Sequence, residues 1–205
     1  MIEPTHKRAV VFVDGQNLFH SAKDAFGYTY PNFDLRLLAE AICTAQSWDI
    51  VECRFYTGIP SSEDNPFWNS FWVKKTAQMG RSGVSVFTRP MRYRNKTVRL
   101  PDGSTHTFLT GEEKGIDVRI ALDILTGAMN GSYDVAVVFS QDQDLSEAAT
   151  EIHTIALQQD RWIKVACAFP WSPAAHNKRG INSTDWIKID RATYDKCIDP
   201  KDYRT

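Results

Sequence analysis

The sequence predicts an α/β fold, a three-layer α/β/α sandwich on a mainly parallel sheet, with a small basic β-hairpin added. Three observations lead there. The segments "RAVVFVD" (8–14), "YDVAVVFS" (133–140) and "WIKVACAFP" (162–170) are continuously apolar, as strands buried on both faces are. Helical patterns separate them, so the strands must be joined by crossovers, which are right-handed and lay helices on both sides. Between 88 and 108 the pattern changes to basic and alternating, with turn chemistry in its middle.

The elements follow in order. After the strand 8–14, "NLFHSAKDAFG" carries a helix that Gly27 can end in a left-handed cap. Asp34 can cap a second helix, "LRLLAEAICTA", ahead of the strand "DIVECRFYTG". "NPFWNSFWVKKTAQMG" is predicted as a helix stopped by Gly80, followed by the strand "GVSVFTRP". The basic stretch then leads to the helix "GIDVRIALDILTGAMNG" and the strand "YDVAVVFS". A helix is expected from Asp142 to about Leu157, then "WIKVACAFP", and a short strand and helix in "TDWIKIDRATYDKCI".

With 205 residues, one domain over 1–205 is expected, its core at about 8–190. A net charge of −1 excludes a globally basic nucleic-acid binder but not a local patch. No transmembrane span is present, and "MIEPTHKRAVVFVDG" lacks the apolar layout of a signal peptide. Cys43, Cys53, Cys167 and Cys197 are widely spaced without a C-x-x-C pair, so reduced thiols in a cytoplasmic protein are expected.

In such a sheet the ligand crevice lies outside the carboxyl ends of the strands. Asp14 ends one strand there, "VAVVFSQDQDL" delivers Asp142 and Asp144 from another, and "KGIDV" puts Asp117 in the first turn of a helix. Crowded carboxylates repel unless a cation neutralises them. Ligands that are all oxygen favour a hard ion, Mg²⁺ or Mn²⁺. Such a site can hold a phosphate oxygen and activate water for attack. Asp142 alone serves equally well as an N-cap; the four acids together favour the metal site. Asp123, about 120° from Asp117 around the helix, is expected to make a structural contact instead.

At "VFVDGQNLF" (11–19), "KGIDVRIALDIL" (114–125) and "VVFSQDQDL" (137–145) the chain resembles the NYN domain, a branch of the PIN-like nucleases, over roughly Arg8 to Asp190. The resemblance implies a Rossmann-like sandwich and metal-dependent endonucleolytic cleavage, usually of RNA. Asp14, Asp117, Asp142 and Asp144 match its acidic positions, Asn17 its amide, and Lys114 the lysine ahead of the helix. The implied ligands are Asp14, Asp117 and Asp142 directly, with Asp144 direct or through water. The third motif usually reads Ser-Gly-Asp-Ser-Asp-Phe, whereas this chain has Gln141, Gln143 and Leu145 at the glycine, serine and aromatic positions. A glycine there can hold a conformation that glutamine adopts only at a cost, so Gln141 puts the turn geometry, and turnover with it, in question.

Arg89, Arg92, Arg94, Lys96 and Arg99 lie in "TRPMRYRNKTVRLPDGSTHTF" with a single acid, Asp102. "LPDG" suits a type I turn, so a hairpin would put Arg92, Arg94 and Lys96 on one face and Tyr93 on the other. Positive charge beside an acidic centre suits a polyanion; the plainer alternative is an edge hairpin protected by charge. "HNKRG" (176–180) is a weaker basic loop. Phe67, Trp68, Phe71 and Trp72 fall at helical spacing and are expected in the core or in an interface, which makes a homodimer one partner to test.

Three functions compete at this stage. The first is a metal-dependent endoribonuclease, with RNA as partner, single-stranded DNA as the alternative, and no membrane. The second is a binding or regulatory module that engages RNA or a nucleotide without cutting, which Gln141 and Gln143 favour. Last is a phosphatase of the haloacid dehalogenase type, whose Asp-x-Asp should directly follow the first strand, where this chain has Asp14-Gly15-Gln16.

Overall fold

The computed structural model describes residues 1–204. Its strands are β1 (Arg8–Asp14), β2 (Asp49–Ile59), β3 (Ser85–Pro90), β4 (Arg92–Arg99), β5 (Thr105–Glu112), β6 (Val135–Phe139), β7 (Lys164–Pro170) and β8 (Asp185–Ile189). Its α-helices are α1 (Gly15–Phe26), α2 (Leu35–Ala45), α3 (Pro66–Arg81), α4 (Ile116–Met129), α5 (Ser146–Gln158) and α6 (Arg191–Asp195). Six strands form one sheet in the order β3-β2-β1-β6-β7-β8, and every neighbouring pair is parallel. In chain order within that sheet this is 3-2-1-4-5-6, the doubly wound arrangement whose chain reverses direction beside its first strand. The predicted α/β sandwich and the added hairpin are both present.

Burial on both faces explains the apolar runs. Along β1, Ala9, Val11 and Val13 pack with α1, α2 and α3, while Val10 and Phe12 pack with α4 and α5. Successive side chains of a strand point to opposite faces, so an unbroken apolar run supplies two cores at once. Each fully buried side chain of this size contributes about 1.5–3 kcal/mol. Trp72 and Phe71 are buried in the first of these cores, which answers the aromatic stripe in favour of packing; Phe67 stays exposed. Among the described residues no helix is long and apolar enough to cross a membrane.

Two helix boundaries differ from expectation. α3 runs through Gly80 to Arg81, and the left-handed residue comes at Gly83, with φ of 80°. Gly80 is exposed and tolerated inside the helix; the left-handed conformation, which favours glycine, falls three residues later. The helix expected from Asp142 begins instead as a short 3-10 turn (Gln143–Leu145) before α5.

β4 and β5 pair only with each other. Leu100 accepts from the Gly103 amide at 2.9 Å, closing the expected "LPDG" turn, and Gly103 itself is left-handed. Arg92, Arg94 and Lys96 share one exposed face with Phe108, the residue opposite Lys96. An isolated two-stranded hairpin is marginal in water, so its root is tied to the body. The Met91 amide donates to the Ile59 carbonyl, and the Ser61 amide to the Tyr93 hydroxyl at 3.1 Å.

Candidate functional site

β1 and β6 are neighbours, and their carboxyl ends open onto one crevice. Asp14 closes β1 and caps α1: its Oδ1 accepts from the Asn17 amide at 3.0 Å. The chain turns at once into the helix because Gly15 lies against the Phe55 ring and the Tyr56 carbonyl, where a Cβ would not fit. Asp14 is only 7 % exposed. Burial lifts its carboxyl from 3.8 to about 6, aided by the negative charge of Asp142 and opposed by the amides of Asn17 and Gln16.

From β6 the chain delivers Ser140, Gln141 and Asp142. The Ser140 hydroxyl accepts from the Asp142 amide at 3.1 Å and lies 3.5 Å from Asp14 Oδ2. Asp142 accepts from the Asp144 amide at 3.0 Å, so it does cap the 3-10 turn while also acting on Asp14. Asp144 contributes that amide and keeps its side chain exposed.

The third segment is the loop ahead of α4, and it holds a residue that sequence reasoning missed. Glu113 accepts from the Gly58 amide at the end of β2. Burial raises its carboxyl from 4.5 to about 7, with Asp14 and Asp117 adding to the effect. The crevice acids therefore act on one another in a chain, Asp142 on Asp14, and Asp14 and Asp117 on Glu113. The one signal available was the second Glu of "GEEKGID", directly ahead of Lys114.

Asp123 is apart from this group, as expected. It accepts from the Tyr56 hydroxyl at 2.8 Å and from Arg119. Arg89, at the end of β3, lies over the same loop: a Cβ on Gly115 would stand 2.8 Å from its guanidinium. Lys114 is exposed beside it, and Arg99 lies far out at the end of β4.

Oxygen-only donors, Asp14 buried and Glu113 half-buried, both raised in pKa first by the loss of water around them, fit a hard divalent cation. Among the described residues no three His, Cys, Asp or Glu side chains form a ready-made cage; Asp14, Asp142, Asp117 and Glu113 are near enough to act on one another without closing around a point, and the Asp144 side chain is exposed. Mg²⁺ commonly takes only one or two carboxylates and keeps several waters, which such an open edge can supply.

The concern about Gln141 is resolved by its backbone. Among the described residues, positive φ outside glycine occurs at Ser47, Asp160 and Ser183, and Gln141 is not strained. Its amide donates to Asn17 Oδ1 at 2.8 Å, its Oε1 accepts from Ser21 at 2.7 Å, and its Nε2 donates to the Arg179 carbonyl at 2.8 Å. Gln143 likewise donates to the Gly180 carbonyl and accepts from the Asn182 amide. Both glutamines thus fasten the "HNKRG" loop to the crevice. Gln141→Gly is expected to cost about 1–3 kcal/mol, because it removes the side-chain bonds to the buried Ser21 hydroxyl and to the Arg179 carbonyl. Urea unfolding measures that cost, and hydrogen exchange should show residues 176–182 opening first; unchanged stability would show that the bonds contribute nothing.

The NYN domain family model matches residues 8–157. Among solved structures, a Vibrio parahaemolyticus protein described as of unknown function aligns with a TM-score of 0.55 and 22 % identity, covering 93 % of this chain and 98 % of its own. That likeness supports the fold alone. A ribokinase from Giardia lamblia aligns at a TM-score of 0.37 and 9 % identity, covering 84 % of this chain and 50 % of its own, too low to carry an argument. No curated protein matches the chain.

Proposed function

The chain belongs to the NYN domain family, within the PIN-like nuclease superfamily, and from that premise we propose that it is a metal-dependent endoribonuclease. The observation that carries the reading is the buried Asp14 carboxyl at the switch point of the sheet, coupled to Asp142 on one side and to Glu113 on the other. A carboxyl with that much water removed is costly, and a bound cation is the natural compensation.

Asp14, Asp117 and Asp142 would hold Mg²⁺ or Mn²⁺, with Glu113 added to the set and Asp144 reaching it through water. Such an ion supplies positive charge to the phosphodiester and lowers the pKa of the attacking water. The chain's own groups do the rest. Asn17 Oδ1 accepts from the Gln141 amide and so fixes the segment that presents Asp142. Glu113, fixed by the Gly58 amide, adds its negative charge to the set that the ion would meet. Arg89 and Lys114 flank the acids and meet the phosphates, while Arg92, Arg94, Lys96 and Arg99 extend positive charge outward along the strand's path. Glu112, ion-paired with Arg94 at 3.1 Å, interrupts the charged face of the hairpin.

One observation favours the binding-only reading: the acids do not form a closed cage. Incubating end-labelled RNA and DNA with Mg²⁺, Mn²⁺ or chelator separates the two. The expected result is RNA cleavage that requires metal and is lost in Asp142→Asn. Intact RNA in every condition, with binding retained, would establish the non-hydrolytic module instead.

A further inference from the structure

Beside the crevice, between the first turn of α1, the start of α3 and the root of the hairpin, lies a cavity of about 210 Å³. Phe19, Trp68 and Tyr93 line it, and Trp72, nearly fully buried, is at its base. Two amides complete the lining. Asn65 spends its Oδ1 on the Trp68 amide at 3.3 Å, which leaves its Nδ2 able to donate outward. Gln16 contributes a side chain that makes no hydrogen bond among the described residues.

Its place in the molecule matters as much as its lining. Gln16 follows Asp14 by two residues, so the cavity and the acidic edge share the first turn of α1. On the opposite wall Gly111 precedes Glu113 by two residues, and Tyr93 lies between Arg92 and Arg94 in β4.

We propose, resting on the nuclease reading above, that this pocket takes one unpaired nucleobase next to the phosphodiester held at the acids. Aromatic walls accept the flat π-face of any base, and the two amides can meet its polar edge. A base in a duplex is already stacked and paired, so insertion selects against double strands. An apolar protein side chain would leave both amides unsatisfied.

The test is equilibrium binding in chelator, where cleavage cannot interfere. A single-stranded decamer, the same decamer made abasic at each position in turn, and a blunt duplex are titrated into wild type, Phe19→Leu and Tyr93→Leu. One abasic position should lower wild-type affinity about ten-fold, within the range a stacked base contributes. The leucine variants should bind the intact decamer with a similar loss and be indifferent to that abasic position. Even, small losses at all positions, or equal affinity for the duplex, would overturn the pocket. Should a variant fail to fold, the abasic scan on wild type still decides. Metal is then added to the wild-type complex. Positional loss without cleavage keeps the pocket and removes the nuclease; cleavage without positional loss does the reverse; no binding removes both.

Discussion

Asp14→Asn is expected to abolish cleavage and, at the same time, to make the metal-free protein more stable above pH 7. Loss of activity by at least about 10²–10³-fold is the usual effect of removing one preorganised charge from a reacting centre. The stability gain has a separate cause. Asp14 is lifted to about 6 in the fold against 3.8 as an ordinary carboxyl, so the folded state holds the proton more tightly than the unfolded one. Stability is therefore present at low pH and lost as pH rises from about 4 through about 6, and Glu113, lifted to about 7, extends the loss toward neutrality. Asparagine cannot ionise, yet caps a helix as well as aspartate does, so the Asn17 amide keeps its partner.

A gain of about 3 kcal/mol at pH 8 corresponds to a midpoint about 6–12 °C higher for a chain of this size. The difference should vanish near pH 4, where both proteins carry a neutral side chain. Saturating Mg²⁺ or Mn²⁺ should reverse the order, raising wild type by about 4.1 kcal/mol at a thousand times the dissociation constant while leaving the variant unmoved. Thermal melts in chelator and in metal across pH 4–8 measure all of this. A variant less stable than wild type at pH 8 would mean that Asp14 serves the fold and not a ligand.

Lys75→Met should be the most damaging single change outside the crevice. Lys75 is 1 % exposed, and its Nζ donates to the Phe33 carbonyl at 2.7 Å and to Asp199 at 3.1 Å, between the rings of Phe33 and Tyr203. Burial pulls its pKa down while Asp199 holds it up. Methionine fills the space but leaves Asp199 without its cation, and the Tyr203 hydroxyl at 2.9 Å cannot replace the charge. Breaking such a pair from one side costs about 3–5 kcal/mol. The double variant Lys75→Met with Asp199→Leu should recover much of that, since no charge is then stranded. Urea unfolding of the two singles and the double gives the coupling directly. A single variant costing under about 1 kcal/mol would show that the segment around Asp199 and Tyr203 is not held by this contact.

Much of the architecture was legible from the sequence because its causes are local. Unbroken apolar runs such as "VVFV" fit buried parallel strands, Asp34 and Gly27 mark helix ends by their own chemistry, and "LPDG" closes its turn within four residues. Ending β1 on Asp14 and β6 just before Asp142 was enough to bring those acids to one edge, since parallel strands deliver their carboxyl ends together.

Only the tertiary structure decided the rest, because it depends on groups far apart in the chain. Lys74 and Lys75 are identical neighbours, yet one is exposed and the other is sealed against Phe33 and Asp199. Glu113 enters the acidic crevice because the Gly58 amide, 55 residues away, holds it there, while Asp144 gives its amide to the Asp142 cap and keeps its side chain exposed. Gln141 and Gln143, departures from the family pattern, bind carbonyls of a loop nearly forty residues on. Local periodicity carries backbone shape, whereas the field at a carboxylate is set by whichever distant side chains the folded sheet brings beside it.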